Sequence, residues 1–83
     1  MEESTKKLLG VRIKELRKTR GLSQEQLSKK IDIDPKHLSR LEVGRSFPSL
    51  DTLEKLANAL QVDLRDFFEF AHEAKNTREL KEI

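Results

Sequence analysis

Residues 34–45, DPKHLSRLEVGR, contain polar and basic side chains whose spacing suits a helix. At about 100° per residue, Leu38 and Leu41 point to one side and would face a core. The opposite side holds Lys36, Ser39, Arg40 and Val43. An arginine can donate paired hydrogen bonds to guanine, lysine and serine are less selective, and valine can touch a thymine methyl group. The residue types therefore suit reading of base-pair edges, and an ordinary solvated helix face is the alternative.

The charges are unevenly distributed along the chain, although the net charge is only +2. Residues 1–47 contain 12 Lys and Arg against 7 Asp and Glu, whereas residues 48–83 contain 5 against 8. A basic half beside an acidic half suggests one face made for a polyanion. A mixed-charge solvated surface is the other interpretation, and charge alone does not decide between them.

The helix over residues 35–43 needs neighbours to position it, and the sequence predicts them. Ser23 can cap a short preceding helix. Asp34 can cap the next helix, Pro35 suits its first turn, and Gly44 is placed to end it. Two short helices joined tightly, the second with a basic outer face, predict a helix-turn-helix.

Helical spacing of apolar residues continues on both sides of this pair. Cations before Gly21 indicate the end of a first helix. Pro48-Ser49 would start a fourth helix, with an apolar stripe of Leu50, Leu53, Leu56, Ala57 and Leu60. Asp63 and Asp66 would open a fifth. No segment shows strand alternation, so the sequence predicts an all-α fold.

The apolar pattern thins after residue 71, which divides the chain into a domain at 1–71 and a tail at 72–83. The tail is interpreted as a frayed helix, a helix that needs a partner, or a disordered segment. Phe70 lies off the stripe of its own helix. It is either a buried outlier or part of a dimer contact with Leu80 and Ile83.

Several classes of protein and site have no support in the composition. The 83 residues suffice for one modest core, and no stretch approaches the ~20 apolar residues of a membrane span. No signal peptide is visible, which fits a cytoplasmic protein. The chain has no cysteine and only two separated histidines, so no metal site is predicted. We expect no cofactor and no small-molecule substrate, because no phosphate loop or nucleophile–base constellation occurs.

Four segments, in this order and spacing, resemble the lambda-repressor-like, Cro/XRE family of helix-turn-helix DNA-binding domains: RKTRGLSQEQLS, LSRLEVG, PSLDTLEKLANAL and VDLRDFF. The resemblance covers residues 9–68. It implies a compact five-helix bundle whose second and third helices form the helix-turn-helix. It also implies a transcriptional regulator of bacterial or phage type that binds double-stranded DNA as a homodimer on an inverted repeat.

The resemblance assigns roles to individual positions. Base contacts are expected from Pro35, Lys36, Ser39 and Arg40, and helix geometry adds Val43. Phosphate contacts are expected from Gln24 and from the loop of Gly44, Arg45 and Ser46, and Ser23 beside Gln24 is a further candidate. His37, at the edge of the core face, would either contact phosphate or pack. The position of Glu42 usually pairs with an arginine, here Arg17, which would make the acid a brace rather than a base reader.

Three departures from the family pattern are visible. Asp32 occupies a turn position that is usually Gly, although Asp tolerates left-handed backbone better than most residues. Asp32 and Asp34 put acids near the expected DNA surface, where they would repel phosphate unless they act as caps. Pro35 cannot hydrogen-bond to a base and offers only shape and apolar contact.

A protein-interaction module, or an antitoxin or controller-type regulator working with a partner protein, is the alternative function. Such a module would keep the fold and use the acidic half and the tail as its working surface. The basic side chains of Lys36, Arg40 and Arg45 argue against a module that has lost DNA binding. An enzyme is not supported by the sequence.

Overall fold

Four α-helices and one 3-10 helix make up residues 2–70, the part of the chain that a computed structural model describes. They are α1 (Glu2–Thr19), α2 (Gln24–Ile31), α3 (Pro35–Glu42), α4 (Leu50–Leu60) and a 3-10 helix at Leu64–Phe68. The all-α prediction is confirmed. None of the helices in residues 2–70 has the length and hydropathy to cross a membrane.

The predicted count of five α-helices is not met within the described residues. The fifth segment winds as a 3-10 helix, and the Asp66 N–H donates to the Asp63 carbonyl three residues back, at 2.9 Å. The Asp66 carboxylate also accepts from the Asp63 N–H at 2.8 Å. The backbone bond spans three residues, which is the hydrogen-bond repeat of a 3-10 helix.

Side-chain caps start the helices at the predicted positions. Ser23 Oγ accepts from the Gln26 N–H at 3.0 Å, and Gln26 Oε1 accepts from the Ser23 N–H at 2.8 Å. This reciprocal pair is the capping box that begins α2. Asp34 Oδ1 accepts from the Lys36 N–H at 2.9 Å to begin α3, and Ser49 caps α4. Local sequence therefore sets where each of these helices begins.

The turn between α2 and α3 depends on a left-handed residue. Asp32 has φ 60° and ψ 51°, the conformation that glycine usually supplies. Its N–H is satisfied by carbonyls in the last turn of α2. Asp32 therefore adopts the turn conformation for which the family usually has Gly, and the connection between α2 and α3 stays tight.

One hydrophobic core joins all five elements. Its buried apolar side chains are Leu9, Ile13, Leu27, Ile31, Leu38, Leu41, Leu53, Leu56, Ala57, Leu60 and Phe67. Leu38 and Leu41 anchor α3 in this core, as the spacing predicts. Leu50 departs from its predicted stripe and is 64% exposed, because it is the first residue of α4 and lies at the edge of the packed region.

The long helix α1 forms the back of the bundle and packs against α3 and the 3-10 helix. The close contact between α1 and α3 requires glycine at position 10. A Cβ there would lie 2.5 Å from the carbonyl oxygens of Leu41 and Glu42. Arg20 at the end of α1 donates to the Leu60 carbonyl at 2.6 Å, which adds a cation at the C-terminus of α4. Thus α1 contacts α3 near its middle, and the residue that follows its C-terminus contacts the end of α4.

Phe70 is half-buried and packs against the core. Its ring centroid lies 6.1 Å from that of Phe68, with the planes tilted by 45°. The two other residues predicted for a dimer contact, Leu80 and Ile83, lie outside the described residues, as does the predicted tail at 72–83.

Candidate nucleic-acid interface

The outer face of α3 presents its predicted base-reading side chains to solvent. Lys36 and Arg40 are exposed, and Val43, the C-cap residue, is 57% exposed. Ser39 lies between them and is half-buried. Pro35, at the first turn, is exposed as well. The structure therefore brings all five candidates onto one accessible surface.

Arg17 and Glu42 form a buried ion pair behind this surface. Arg17 Nε donates to Glu42 Oε2 at 2.7 Å and Arg17 Nη2 donates to Glu42 Oε1 at 3.0 Å. The two side chains are 7% and 1% exposed. A third bond, from Arg17 Nη1 to the Leu22 carbonyl at 2.8 Å, ties the loop before α2 to the same guanidinium. The acid in α3 is therefore turned away from the reading face.

Gln24 contacts the same carboxylate from the first residue of α2. Its Nε2 donates to Glu42 Oε1 at 2.9 Å, and the side chain is half-buried. Ser23, next to it, is exposed but holds its hydroxyl in the capping box of α2. Both phosphate candidates thus lie at a helix N-terminus, where backbone N–H groups favour anions.

The loop after α3 brings the remaining phosphate candidates beside the reading face. Gly44 has φ +81°, and the Arg45 N–H donates to the Arg40 carbonyl at 2.9 Å. Arg45 is exposed, whereas Ser46 is half-buried. His37 is half-buried on α3, and both its packing role and its phosphate contact stay predictions.

The two acids near this surface have different environments. The Asp34 carboxylate is used as the cap of α3, so its charge lies at the N-terminus of a helix, which stabilises it. Asp32 is exposed at the turn. In the described part of the chain, no three His, Asp or Glu side chains are grouped to hold a metal ion.

Sequence reasoning missed three contacts that shape the interface. The hydrogen bond from Gln24 to Glu42 joins helices whose contact faces only the fold defines. Gly10 had no assigned role, although it lets α1 approach α3. Lys7 on α1 lies against Gly44, since a Cβ on that glycine would be 2.8 Å from Lys7 Cα. Gly10 was the available signal for the contact between α1 and α3, because a glycine inside a helix often has a packing reason.

A helix-turn-helix family model matches residues 13–67, more than half of the chain and all of the interface helices. The chain belongs to the Cro/XRE helix-turn-helix family. Residues 13–67 include both partners of the Arg17–Glu42 pair and the whole of α3.

Two curated proteins are similar in sequence to this chain. The immunity repressor protein of Bacillus phage phi105 is 43% identical over 56 residues, which are 68% of this chain and 39% of that protein. The control protein C.BamHI of Bacillus amyloliquefaciens is 31% identical over 71 residues, which are 84% of this chain and 88% of that protein. This Cro/XRE chain thus spans less than half of the phage repressor and most of the control protein.

A solved structure of this family has the same arrangement of helices. The restriction-modification controller protein C.AhdI from Aeromonas hydrophila superimposes with a TM-score of 0.76 at 35% identity. The match covers 78% of this chain and 98% of that one. The lambda-repressor-like fold predicted for this Cro/XRE member is therefore confirmed at the level of its helices.

Proposed function

We propose that this chain is a sequence-specific, double-stranded DNA-binding transcriptional regulator, with α3 as its recognition helix. The observation that carries the proposal is that one face of α3 is buried in the core and the opposite face is exposed and basic. Leu38 and Leu41 are buried, Glu42 is held by Arg17, and Lys36 and Arg40 are left exposed. A major groove admits one α-helix, and this one presents cations and no unpaired acid to it.

Base reading would come from the outer face of α3. Arg40 donates a bidentate pair to guanine O6 and N7, while Lys36 and Ser39 contribute contacts of lower selectivity. Val43 contacts a thymine methyl group, and Pro35 contributes shape alone. Sequence preference would therefore be strongest at the base pair that faces Arg40.

Phosphate contacts would fix the register of α3 in the groove. One group lies at the start of α2, where Gln24 and Ser23 face the DNA backbone beside the helix N-terminus. The second group is the loop of Gly44, Arg45 and Ser46, on the other side of the reading face. His37 supplies a further phosphate contact in this proposal.

We also propose that the regulator acts as a homodimer on an inverted repeat. Recognition helices in such dimers lie about 34 Å apart, on one face of the duplex. In this proposal residues 1–71 form the DNA-binding domain, and the segment that begins with the 3-10 helix at Leu64–Phe68 takes the place of the fifth helix of the bundle. Phe70, Leu80 and Ile83 would contribute to the dimer contact.

In vitro selection from a random duplex library tests the proposed function directly. We expect enrichment of an inverted repeat, with binding that weakens steeply as salt rises, because each neutralised phosphate contributes about −0.9 to the log–log slope. An enriched half-site without symmetry would contradict the homodimer. Failure to enrich any sequence would contradict the reading role of α3.

A controller-type regulator of a restriction-modification system is the second candidate function. Similarity to C.BamHI and to C.AhdI, over 88% and 98% of their lengths, favours it. In this case the protein would act in the cytoplasm of a bacterium and control transcription at the enriched site. Transcription in vitro from a promoter with that site, with and without the protein, would show whether it activates, represses or does neither.

A further inference from the structure

We infer that Glu42 is a positioning residue that fixes the Gln24 amide through one N–H of Nε2, so that the second N–H of the same nitrogen is available to a DNA phosphate. The inference rests on the proposed function, since it concerns how the same surface binds DNA. It starts from one carboxylate shared by two partners: Glu42 Oε1 accepts from Arg17 Nη2 at 3.0 Å and from Gln24 Nε2 at 2.9 Å.

The chemistry of the carboxylate determines which end of the amide faces it. An ionised carboxylate can only accept hydrogen bonds, whereas an amide has an NH₂ donor and a carbonyl acceptor. Arg17 keeps Glu42 paired with a cation, and the Glu42 side chain is 1% exposed. Gln24 must therefore direct Nε2 inward, because its carbonyl oxygen would repel the carboxylate.

The orientation leaves one N–H of the Gln24 amide uncommitted to Glu42. A phosphate oxygen also accepts only, so it requires a donor from the protein. Gln24 is half-buried, which limits its rotamers, and its bond to Glu42 limits them further. An amide that is already oriented loses less conformational freedom on binding, so the carboxylate raises DNA affinity without touching DNA.

The arrangement also joins the two helices of the motif through one side chain. Gln24 is the first residue of α2, and Glu42 is the last residue of α3. A phosphate held by Gln24 is thereby tied to the end of the helix that reads bases. Displacement of the carboxylate would loosen the phosphate contact even if α3 kept its place.

A double-mutant cycle measured on DNA tests the inference. The variants are Gln24→Ala, Glu42→Gln and the double variant, each bound to a duplex carrying the selected site at a temperature where circular dichroism shows it folded. We expect Gln24→Ala to weaken binding about tenfold. Glu42→Gln should weaken binding several-fold when Gln24 is present and less than about twofold when residue 24 is alanine.

A matched control separates positioning from loss of stability. Ile13→Val removes a methyl group from a fully buried side chain without touching Gln24, Glu42 or Arg17. It should lower the melting temperature and leave the dissociation constant of the folded protein unchanged. Additive effects of Gln24→Ala and Glu42→Gln on DNA affinity would overturn the inference.

Nuclear magnetic resonance of the parent protein gives an answer even if Glu42→Gln does not fold. The two side-chain amide protons of Gln24 should differ, with the proton bonded to Glu42 exchanging slowly with water. Addition of the selected duplex should shift chiefly the other proton. If the duplex binds and neither proton shifts, the inference is wrong while the proposed function stands; if no duplex is ever selected, the proposed function fails and the inference with it.

Discussion

Arg17 on α1 and Glu42 on α3 meet in a bidentate ion pair, with nitrogen–oxygen distances of 2.7 and 3.0 Å. The pair lies 25 residues apart in sequence and is nearly excluded from solvent. It connects α1 to the last residue of α3. The orientation of α3 in the bundle therefore depends on a buried ion pair that lies behind the exposed face of the helix.

Arg17→Ala should destabilise the fold strongly. Loss of the guanidinium leaves the Glu42 carboxylate buried without its cation, which typically costs ~3–5 kcal/mol. Denaturant unfolding should show this loss. Arg65→Ala is the control, because its side chain is 84% exposed and its ion pair with Asp63 is long, at 3.7 Å. A variant that unfolds like the parent but fails to bind DNA would show that Arg17 is not structural.

Arg40→Ala should weaken specific DNA binding without loss of stability. The side chain is exposed on α3, so its removal leaves the core unchanged. A bidentate contact to guanine is worth ~1–3 kcal/mol, and its loss should relax base preference at one position of each half-site. Repeating the selection with the variant measures that preference, and an unchanged selected sequence would refute the role of Arg40.

Gly44→Ala should destabilise the protein more than Gly21→Ala. Both glycines have left-handed backbone, with φ +81° and +72°, which costs an alanine ~1–2 kcal/mol. Only at Gly44 does a new Cβ meet neighbouring backbone, 2.8 Å from Lys7 Cα, whereas nothing lies within 4 Å at Gly21. Thermal melting of both variants measures the difference. Equal losses would show that α1 does not press on this loop.

Gly10→Ala should destabilise the protein although alanine is the better helix former. Propensity alone would favour the change by ~1 kcal/mol in the middle of α1. The added Cβ would lie 2.5 Å from two backbone carbonyl oxygens of α3. The shifts that remove such a clash typically lower the free energy of unfolding by ~1–3 kcal/mol or more. A higher free energy of unfolding for the variant would mean that α1 and α3 are not in close contact.

Helix boundaries were the most predictable part of the fold. Ser23, Asp34 and Ser49 cap the helices that the sequence assigned to them, because a cap acts on backbone groups only two or three residues away. The fifth segment was predicted as a helix from the same kind of signal, yet residues 64–68 form a 3-10 helix. A cap locates the start of a segment but does not decide whether its backbone bonds span three or four residues, since the same reciprocal cap begins α2, which is an α-helix.

The candidate site was predictable where one helix face defines it. Spacing alone placed Lys36 and Arg40 opposite Leu38 and Leu41, and the structure has that division. Leu50 had the same helical spacing as its stripe but is exposed, since periodicity does not say where a packed region ends. Family resemblance supplied the Arg17–Glu42 pair, which no local pattern indicates.

The sequence by itself determined the first four helices, the caps at Ser23, Asp34 and Ser49, and the basic outer face of α3. These features follow from interactions within a few residues, such as hydrogen bonds to nearby N–H groups and helical periodicity. Only the tertiary structure decided that Gln24 shares the Glu42 carboxylate with Arg17, and that Gly10 admits the end of α3. Such contacts join residues far apart in the chain, and their geometry exists only once the core has packed the helices together.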